Sequence, residues 1–288
     1  MNDASSVARE LLYQARDENL LTVQRMKRTR LDSLQRSAFP AVYQPLLSGA
    51  EVFDSSCSPE ARVWFVDRGE GFYLKRSAAG TLAREAELTR YFHEKGLATQ
   101  VWDYRTENGF DWLLTARMAG EDCTHPAYLA EPERLCDLLA ECLRELHDTD
   151  GSDCPVQARM QSYLALARAN YERGAYDLSY YRDYDAHATV EDVWRVVEQA
   201  ATAFQNDTLL HGDYCLPNIV LNNWHFSGFI DLGNGGVGDR HVDLYWGAWT
   251  LRYNLKTDRY RERFFDAYGR ERINTELLRA VAACEVFG

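Results

Sequence analysis

Residues 211–231 read His-Gly-Asp-Tyr-Cys-Leu-Pro-Asn-Ile-Val-Leu-Asn-Asn-Trp-His-Phe-Ser-Gly-Phe-Ile-Asp. Asp213 and Asn218 stand five apart on a loop. Ile219-Val220-Leu221, then Asn222-Asn223, then His225-Phe226-Ser227 give the pattern of a strand, a turn and a returning strand. A hairpin brings Asp231 back beside Asn218. Two carboxylates and an amide oxygen then meet at one point. Those are hard oxygen ligands of the kind Mg²⁺ takes, with one carboxylate left over to handle a proton. A polar turn that happens to hold acids gives the same letters, so the surrounding chain has to decide.

Upstream the pattern is strand-like from Gly49. Strands are expected at 50–53, 62–67 and 72–75, the last two joined by Arg68-Gly69-Glu70-Gly71. A helix over 83–95 ends at Gly96. Strands at 101–105 and 111–117 flank Asn108-Gly109, a hairpin signal. Downstream the chain is mainly helical. Residues 132–147 place apolar side chains at 135, 138, 139, 142, 143 and 146, one face of an amphipathic helix. Further helices are expected at 157–173, 190–204, 242–254, 257–268 and 274–286. Residues 5–27 also carry a partial helical stripe. The expected fold class is α+β. An N-terminal helical extension takes 1–44, a small antiparallel-sheet lobe 45–117, and a mainly helical lobe 118–288.

Composition narrows the function. Of 288 residues, 46% are hydrophobic and 12% aromatic, as in a globular chain long enough to bury a sizeable core. The net charge of −12 argues against a general nucleic-acid binder and suits a cationic small molecule. Solubility alone also accounts for an acidic balance. Seven cysteines without CxxC pairing suit reduced thiols and hence the cytoplasm. No apolar run approaches the ~20 residues of a membrane span, so no membrane partner is expected. Met1-Asn2-Asp3-Ala4 has no signal-peptide pattern. A monomer or homodimer fits equally well.

Two supporting parts lie upstream of the loop. Lys75 closes a strand, and Glu85 shares a helix face with Leu82, Leu88, Thr89 and Phe92. A carboxylate on an apolar face needs a partner, and Lys75 is one. The alternatives are an exposed Lys with a surface Glu, or Glu87 as the partner. Ser55-Ser56-Cys57-Ser58 lies between the first two strands. Its hydroxyls and backbone N–H groups suit phosphate oxygens, though an ordinary Ser-Pro turn reads the same. His211 is either a catalytic acid or, better, a loop-structuring hydrogen-bond partner. Asp239 and Asp243 are expected to tie down loops and a helix start. Cys215 has no activating base and reads as structural.

The Asp-x-x-x-x-Asn frame followed by Asp231-Leu232-Gly233 is that of the protein-kinase catalytic and metal-binding loops. More specifically, the chain resembles the aminoglycoside phosphotransferase family, in particular its 3′-phosphotransferase (kanamycin kinase) branch. The resemblance rests on His211-Gly212-Asp213-x-Cys215-Leu216-Pro217-Asn218, Ser227-Gly228-Phe229-Ile230-Asp231-x-Gly233 and Gly236-Val237-Gly238-Asp239-Arg240-x-x-Asp243. It reaches back through Tyr73-Leu74-Lys75, Glu85 and Asp111-Trp112-Leu113-Leu114, covering roughly residues 47–288.

It implies a protein-kinase-like two-lobed fold that uses ATP (or GTP) and Mg²⁺. Asp213 would take the proton of the acceptor hydroxyl, and Asn218 and Asp231 would hold the metal. Lys75 with Glu85 would grip the nucleotide, Cys57 and Ser58 would cover its phosphates, and Ala116 and Met118 would meet the base. A cationic acceptor, an aminoglycoside, would be held by Asp183 and Asp185 in a helical insertion, by Asn234 and by Glu285 in the tail. The chain departs from the family pattern in three places. Cys284 stands where an acid usually precedes the Glu, Gly288 follows the terminal Phe, and Asn234 replaces a frequent Arg. Two other readings compete: a kinase of the same fold for another hydroxylated metabolite or antibiotic, and a non-catalytic nucleotide-binding pseudokinase. The complete set Lys75, Glu85, Asp213, Asn218 and Asp231 speaks against the last.

Overall fold

A computed structural model describes residues 29–31 and 39–288. The expected helix over 5–27 lies outside the described residues. The chain begins with β1 (Thr29–Arg30), a short helix α1 (Gln44–Leu47), β2 (Glu51–Asp54), β3 (Arg62–Asp67) and β4 (Phe72–Ala78). Helix α2 (Ala83–Glu94), β5 (Val101–Glu107) and β6 (Phe110–Ala116) follow. These strands form one antiparallel sheet in the order β1-β2-β3-β4-β6-β5. The β5–β6 turn has Asn108 and Gly109 at φ 54° and 79°, the two positive values an Asn-Gly hairpin turn requires.

One face of the sheet is closed by Phe39, Tyr43 and Leu47, which join Val52, Val66, Leu74, Trp112 and Leu114 in a buried cluster. Phe39 meets Trp64 edge-on at 4.8 Å, and the Tyr43 hydroxyl donates to Asp103 at 2.5 Å. Residues 39–44 therefore pack into the sheet, although the helical-extension reading of 1–44 included them. Burial of the Phe39 and Tyr43 rings holds this segment on the sheet, with prolines at 40 and 45 beside them.

The other face receives α2. Leu82 and Ala86 pack on Leu113 of the sheet, while Leu88, Tyr91 and Phe92 belong to the large core of the second half of the chain. One helix is thus buried against both lobes, and Glu85 sits between its two apolar faces. Burying that much aliphatic and aromatic surface is worth several kcal/mol, enough to hold the helix in register.

Beyond Ala116 the chain crosses at residues 117–120. Gly120, at φ 112°, passes so close to the next hairpin that a Cβ would lie 2.1 Å from the Leu221 carbonyl oxygen. There follow β7 (Glu121–Asp122), α3 (Pro126–Leu129), α4 (Pro132–Asp148), α5 (Arg159–Glu172) and α6 (Val190–Ala200). Then come β8 (Thr208–Leu210), β9 (Ile219–Asn222), β10 (His225–Phe229) and β11 (Gly236–Gly238), and finally α7 (His241–Leu255), α8 (Arg261–Tyr268) and α9 (Thr275–Glu285). Leu135, Leu139, Leu143 and Leu146 of α4 are all at most 1% exposed, as the spacing predicts.

The β9–β10 hairpin forms, but its turn sits one residue later than expected. His225 pairs with Asn222, leaving Asn223 and Trp224 as the loop at φ 49° and 68°. An indole in that region is unusual. It persists because Trp224 packs edge-on to Tyr128 at 4.9 Å and lies 4.2 Å beneath the Arg134 guanidinium. The tail is anchored as well. Phe287 is fully buried edge-on against the stacked rings of Tyr171 and Trp194, 5.5 Å from each, and Asn170 donates to its carbonyl at 2.7 Å.

Candidate active site

A cavity of 430 Å³ opens between the sheet lobe and the helical lobe. Its lining includes Cys57, Ser58, Lys75, Glu85, Ala116, Met118, Asp213, Asn218 and Asp231. Nine of the residues expected at a site thus face one cleft.

Lys75 extends from β4 and bonds both oxygens of Glu85, at 2.9 and 2.7 Å, and Asp231 Oδ1 at 2.9 Å. The rival partner Glu87 is exposed. Burial alone would lower the lysine's pKa, but Asp231 and Glu85 together carry it above its ordinary value. Glu85 is raised, by burial against the pull of Lys75. A buried ion pair seldom adds net stability, because desolvation cancels its attraction. Its placement in a cleft reads as a functional requirement rather than a structural one. Asp231 itself is pulled down by Lys75 in spite of desolvation, so it stays ionised. Its side chain is 53% exposed and its φ is 60°, a strained value for a residue with a Cβ.

The loop bearing Asp213 is fixed by backbone bonds. Buried Asp243 of α7 accepts the His211 N–H at 2.7 Å and the Gly212 N–H at 2.8 Å. His147 of α4 meets the same carboxylate at 3.3 Å and Tyr268 at 2.8 Å. His211 has both ring nitrogens occupied: Nδ1 faces the Asp213 N–H at 3.2 Å, and Nε2 faces the Ile230 carbonyl at 3.1 Å. That is the loop-structuring role. Its ring links the two strands of sequence that carry Asp213 and Asp231. Gly212, at φ 82°, is obligatory because a Cβ there would lie 1.9 Å from the Asn234 carbonyl oxygen. The Asn218 amide donates to the Asp213 side chain at 2.9 Å and to its backbone carbonyl at 3.0 Å. Burial, with the charge of Asp231 adding to it, raises the Asp213 pKa, which suits a proton acceptor. Cys215 is pushed up by burial and by Asp213, and is inert as a nucleophile.

With its nitrogen turned to Asp213, Asn218 directs its amide oxygen elsewhere. Asp231 keeps Oδ2 after Oδ1 meets Lys75. Two hard oxygens from the protein and no cluster of three or more His, Cys, Asp or Glu among the described residues fit a metal that takes its remaining ligands from phosphates and water.

The Ser55–Ser58 loop is held by its own bonds: Ser55 N–H to Val63 carbonyl at 2.8 Å and Val63 N–H to Ser56 Oγ at 3.0 Å. The Ala116 N–H is spent on the Gln100 carbonyl at 2.9 Å. Its carbonyl accepts from Thr99 Oγ1 at 2.8 Å with a second lone pair remaining.

The residues expected to hold the acceptor are more scattered. Glu285 accepts from the Tyr163 hydroxyl at 2.6 Å and from Trp246 Nε1 at 3.2 Å. Burial, with Asp213 adding, pushes its pKa to about 7. Asp183 is paired with Arg252 and lines a neighbouring cavity of 400 Å³. Asp185 is exposed, accepts the His187 N–H at 2.9 Å, and lines neither cavity. Asn234 is exposed, and its backbone carbonyl accepts from Arg159 at 2.7 Å. Missing from the expected set are Trp246, Trp249 and Tyr253, which line the far end of the cleft. Their i, i+3, i+7 spacing within the expected helix 242–254 was the signal available.

A sheet lobe holding a Lys–Glu pair over a helical lobe holding an Asp–Asn–Asp set defines a phosphotransferase of protein-kinase-like fold. The chain belongs to the phosphotransferase enzyme family (APH), whose sequence pattern matches residues 53–283. A probable aminoglycoside 3′-phosphotransferase of Lactococcus lactis subsp. lactis is 48% identical over 250 residues, spanning 87% of this chain and 95% of that protein. The aminoglycoside 3′-phosphotransferase of Niallia circulans is 28% identical, over 74% of this chain and 82% of that one. Among solved structures, an aminoglycoside-3′-phosphotransferase of type VIII superposes with a TM-score of 0.73 at 22% identity, covering 86% of this chain and 97% of that one. An aminoglycoside phosphotransferase of Streptomyces rimosus, in complex with ADP and streptomycin, does so with a TM-score of 0.67 at 21% identity, covering 89% and 100%. These two superpositions show the fold.

Proposed function

We propose that the chain transfers the γ-phosphate of ATP or GTP to a hydroxyl of an aminoglycoside, the 3′-OH, and so confers resistance to it. The observation that carries this reading is the Lys75–Glu85–Asp231 contact facing Asp213 and Asn218 across one cleft. The relatives' names supply the acceptor class. Lys75 neutralises phosphate charge and is held in place by Glu85. Asp213, kept near its acceptor by the Asn218 amide, takes the hydroxyl proton as the oxygen attacks phosphorus. Asn218 Oδ1 and Asp231 would hold Mg²⁺, which when bound spreads the developing negative charge. The Ala116 carbonyl and the Met118 backbone would meet the base, and Cys57 and Ser58 would close over the phosphates. Of the acceptor-binding residues expected, Glu285 stands beside Trp246 of the cleft. Asp183 is paired with Arg252, and Asp185 and Asn234 are exposed and lie outside the cleft lining. The seven unpaired cysteines fit a reducing cytoplasm.

A coupled assay with ATP, Mg²⁺ and kanamycin tests the reading. Turnover should depend on the acceptor, and Asp213→Asn should lower kcat by roughly 10²–10⁴-fold, the usual worth of a general base. Expression in a sensitive bacterium should raise tolerance of an aminoglycoside for the wild type alone. Nucleotide binding with no turnover, unchanged in Asp213→Asn, would identify a pseudokinase instead. Turnover confined to other alcohols would identify a kinase of different acceptor.

A further inference from the structure

Two arginines converge on the turn that follows Asp231. Arg84 of α2 donates through Nη2 to the Gly235 carbonyl at 2.8 Å. Arg159, at the start of α5, donates through Nε to the Asn234 carbonyl at 2.7 Å and through Nη1 to Ser162 Oγ at 3.2 Å. All three acceptors are neutral oxygens. Arg159 is only 8% exposed, and its guanidinium lies 5.4 Å from the centre of the Tyr163 ring. Burial lowers the pKa of both side chains, and the charge of Arg84 lowers that of Arg159 further, so the two cations lie close together. Taking like charges out of water with only neutral partners costs stability. An arrangement kept in spite of that cost reads as serving a site.

What they hold is the exit of a strained turn. Asp231 is left-handed, at φ 60° and ψ 53°, and a 3₁₀ turn over Leu232–Asn234 follows it. Lys75 fixes one oxygen of Asp231 at the start of that turn. Arg84 and Arg159 fix two consecutive carbonyls at its end. Arg84 precedes Glu85, so α2 of the sheet lobe reaches both ends, through Lys75 at one and directly at the other. Arg159 grips from the helical lobe. A Cβ on Gly212 would lie 1.9 Å from the same Asn234 carbonyl oxygen, so the clamp also bears on the loop of Asp213. Neither arginine lines the 430 Å³ cavity.

We propose that Arg84 and Arg159 are positioning residues for Asp231: clamping the Asn234 and Gly235 carbonyls from opposite lobes, they hold the left-handed turn that leaves Oδ2 free for the metal. This rests on the phosphotransferase reading above and adds the groups that set its metal-binding carboxylate. Left-handed backbone is uphill for a residue with a Cβ, so a turn released at its exit relaxes and swings the carboxylate away. Groups that orient a metal ligand are typically worth about 10–100-fold in metal affinity.

The test is calorimetric titration of ADP into the full chain, once in saturating Mg²⁺ and once in excess EDTA. Arg84→Ala should weaken Mg²⁺-loaded ADP binding by about tenfold and leave metal-free ADP binding within about twofold of wild type. In turnover the Mg²⁺ concentration for half-maximal rate should rise by a similar factor, with the KM for kanamycin unchanged. Arg84→Lys, which keeps a charged donor, should recover most of the loss. Arg84→Gln gives the same reading if Arg84→Ala folds poorly. Equal weakening with and without Mg²⁺ would mean a general loosening of the cleft, and no weakening in either would mean that the turn holds itself. Both results overturn the proposal while leaving Asp213-dependent transfer intact. A wild type that neither binds ADP with Mg²⁺ nor transfers phosphate overturns the phosphotransferase reading and this proposal with it.

Discussion

Lys75 shows how far one residue's chemistry was visible in the chain. Its spacing from Glu85 left two partners open, and only coordinates bring in Asp231 as the third member at 2.9 Å. Replacing it with Met strands Glu85 on an apolar face, because that carboxylate is only 8% exposed. Lys75→Met should cost about 3 kcal/mol at pH 8, read from chemical denaturation. The deficit should shrink toward about pH 5, where a stranded Glu85 takes up a proton at less cost. Glu285 makes a cleaner pH prediction. Its folded pKa of about 7 lies above its ordinary value, so the folded state holds a proton that the unfolded chain releases. Stability therefore falls as pH rises from the ordinary carboxylate range through about 7, and the penalty is complete above that. Glu285→Gln imitates the protonated form and keeps an oxygen for Tyr163 and Trp246. Its Tm should match the wild type near pH 4.5 and exceed it by a few degrees at about pH 8. Equal melting curves at both pH values would contradict the assignment. Nothing in the tail's letters signalled this shift, which comes from burial against α5 and α7.

Among the elements, α7 does two jobs with two faces. Asp243 in its first turn anchors the loop that bears Asp213, and Trp246, Trp249 and Tyr253 line the cleft. Asp243→Ala leaves the buried N–H groups of His211 and Gly212 without acceptors, at about 1–3 kcal/mol each. The variant should melt lower and lose kcat beyond what its folded fraction explains, as measured in parallel by thermal unfolding and turnover. A normal kcat per folded molecule would mean that the loop holds its shape without this carboxylate. The expected helix 242–254 matched α7 closely, and the Asp243 role was legible from its place near a helix start. Its aromatic stripe went unread because a row of apolar residues on a helix usually means core. Only the position of the opposite lobe shows that this row faces a cavity. The β9–β10 turn is the reverse case. Asn222-Asn223 was the better turn by propensity, but Trp224 takes a positive φ because Tyr128 and Arg134 hold its ring.

On the scale of the whole molecule, the site exists only where the lobes meet, so a ligand that bridges them should stabilise both. ATP at about 100 times its Kd should add about 2.7 kcal/mol, a Tm rise of several degrees. Omitting Mg²⁺ should remove much of that rise, because the phosphates would then face Asp231 and Asp213 without a counter-ion. A thermal-shift titration measures both, and a Tm indifferent to nucleotide would count against the nucleotide assignment. The amino-acid sequence by itself determined the sheet-then-helix order and the Asp213, Asn218 and Asp231 frame. It also singled out the lysine and glutamate upstream, because hairpin turns, helix periodicity and short motif spacings are local and survive without tertiary context. Tertiary structure alone decided that Phe39 and Tyr43 belong to the sheet's core. It also put Asp183 against Arg252, left Asp185 at the surface outside the cleft, and turned Trp246 and Trp249 toward the cleft. Those facts depend on which surfaces from distant parts of the chain exclude water together, and no local pattern encodes that.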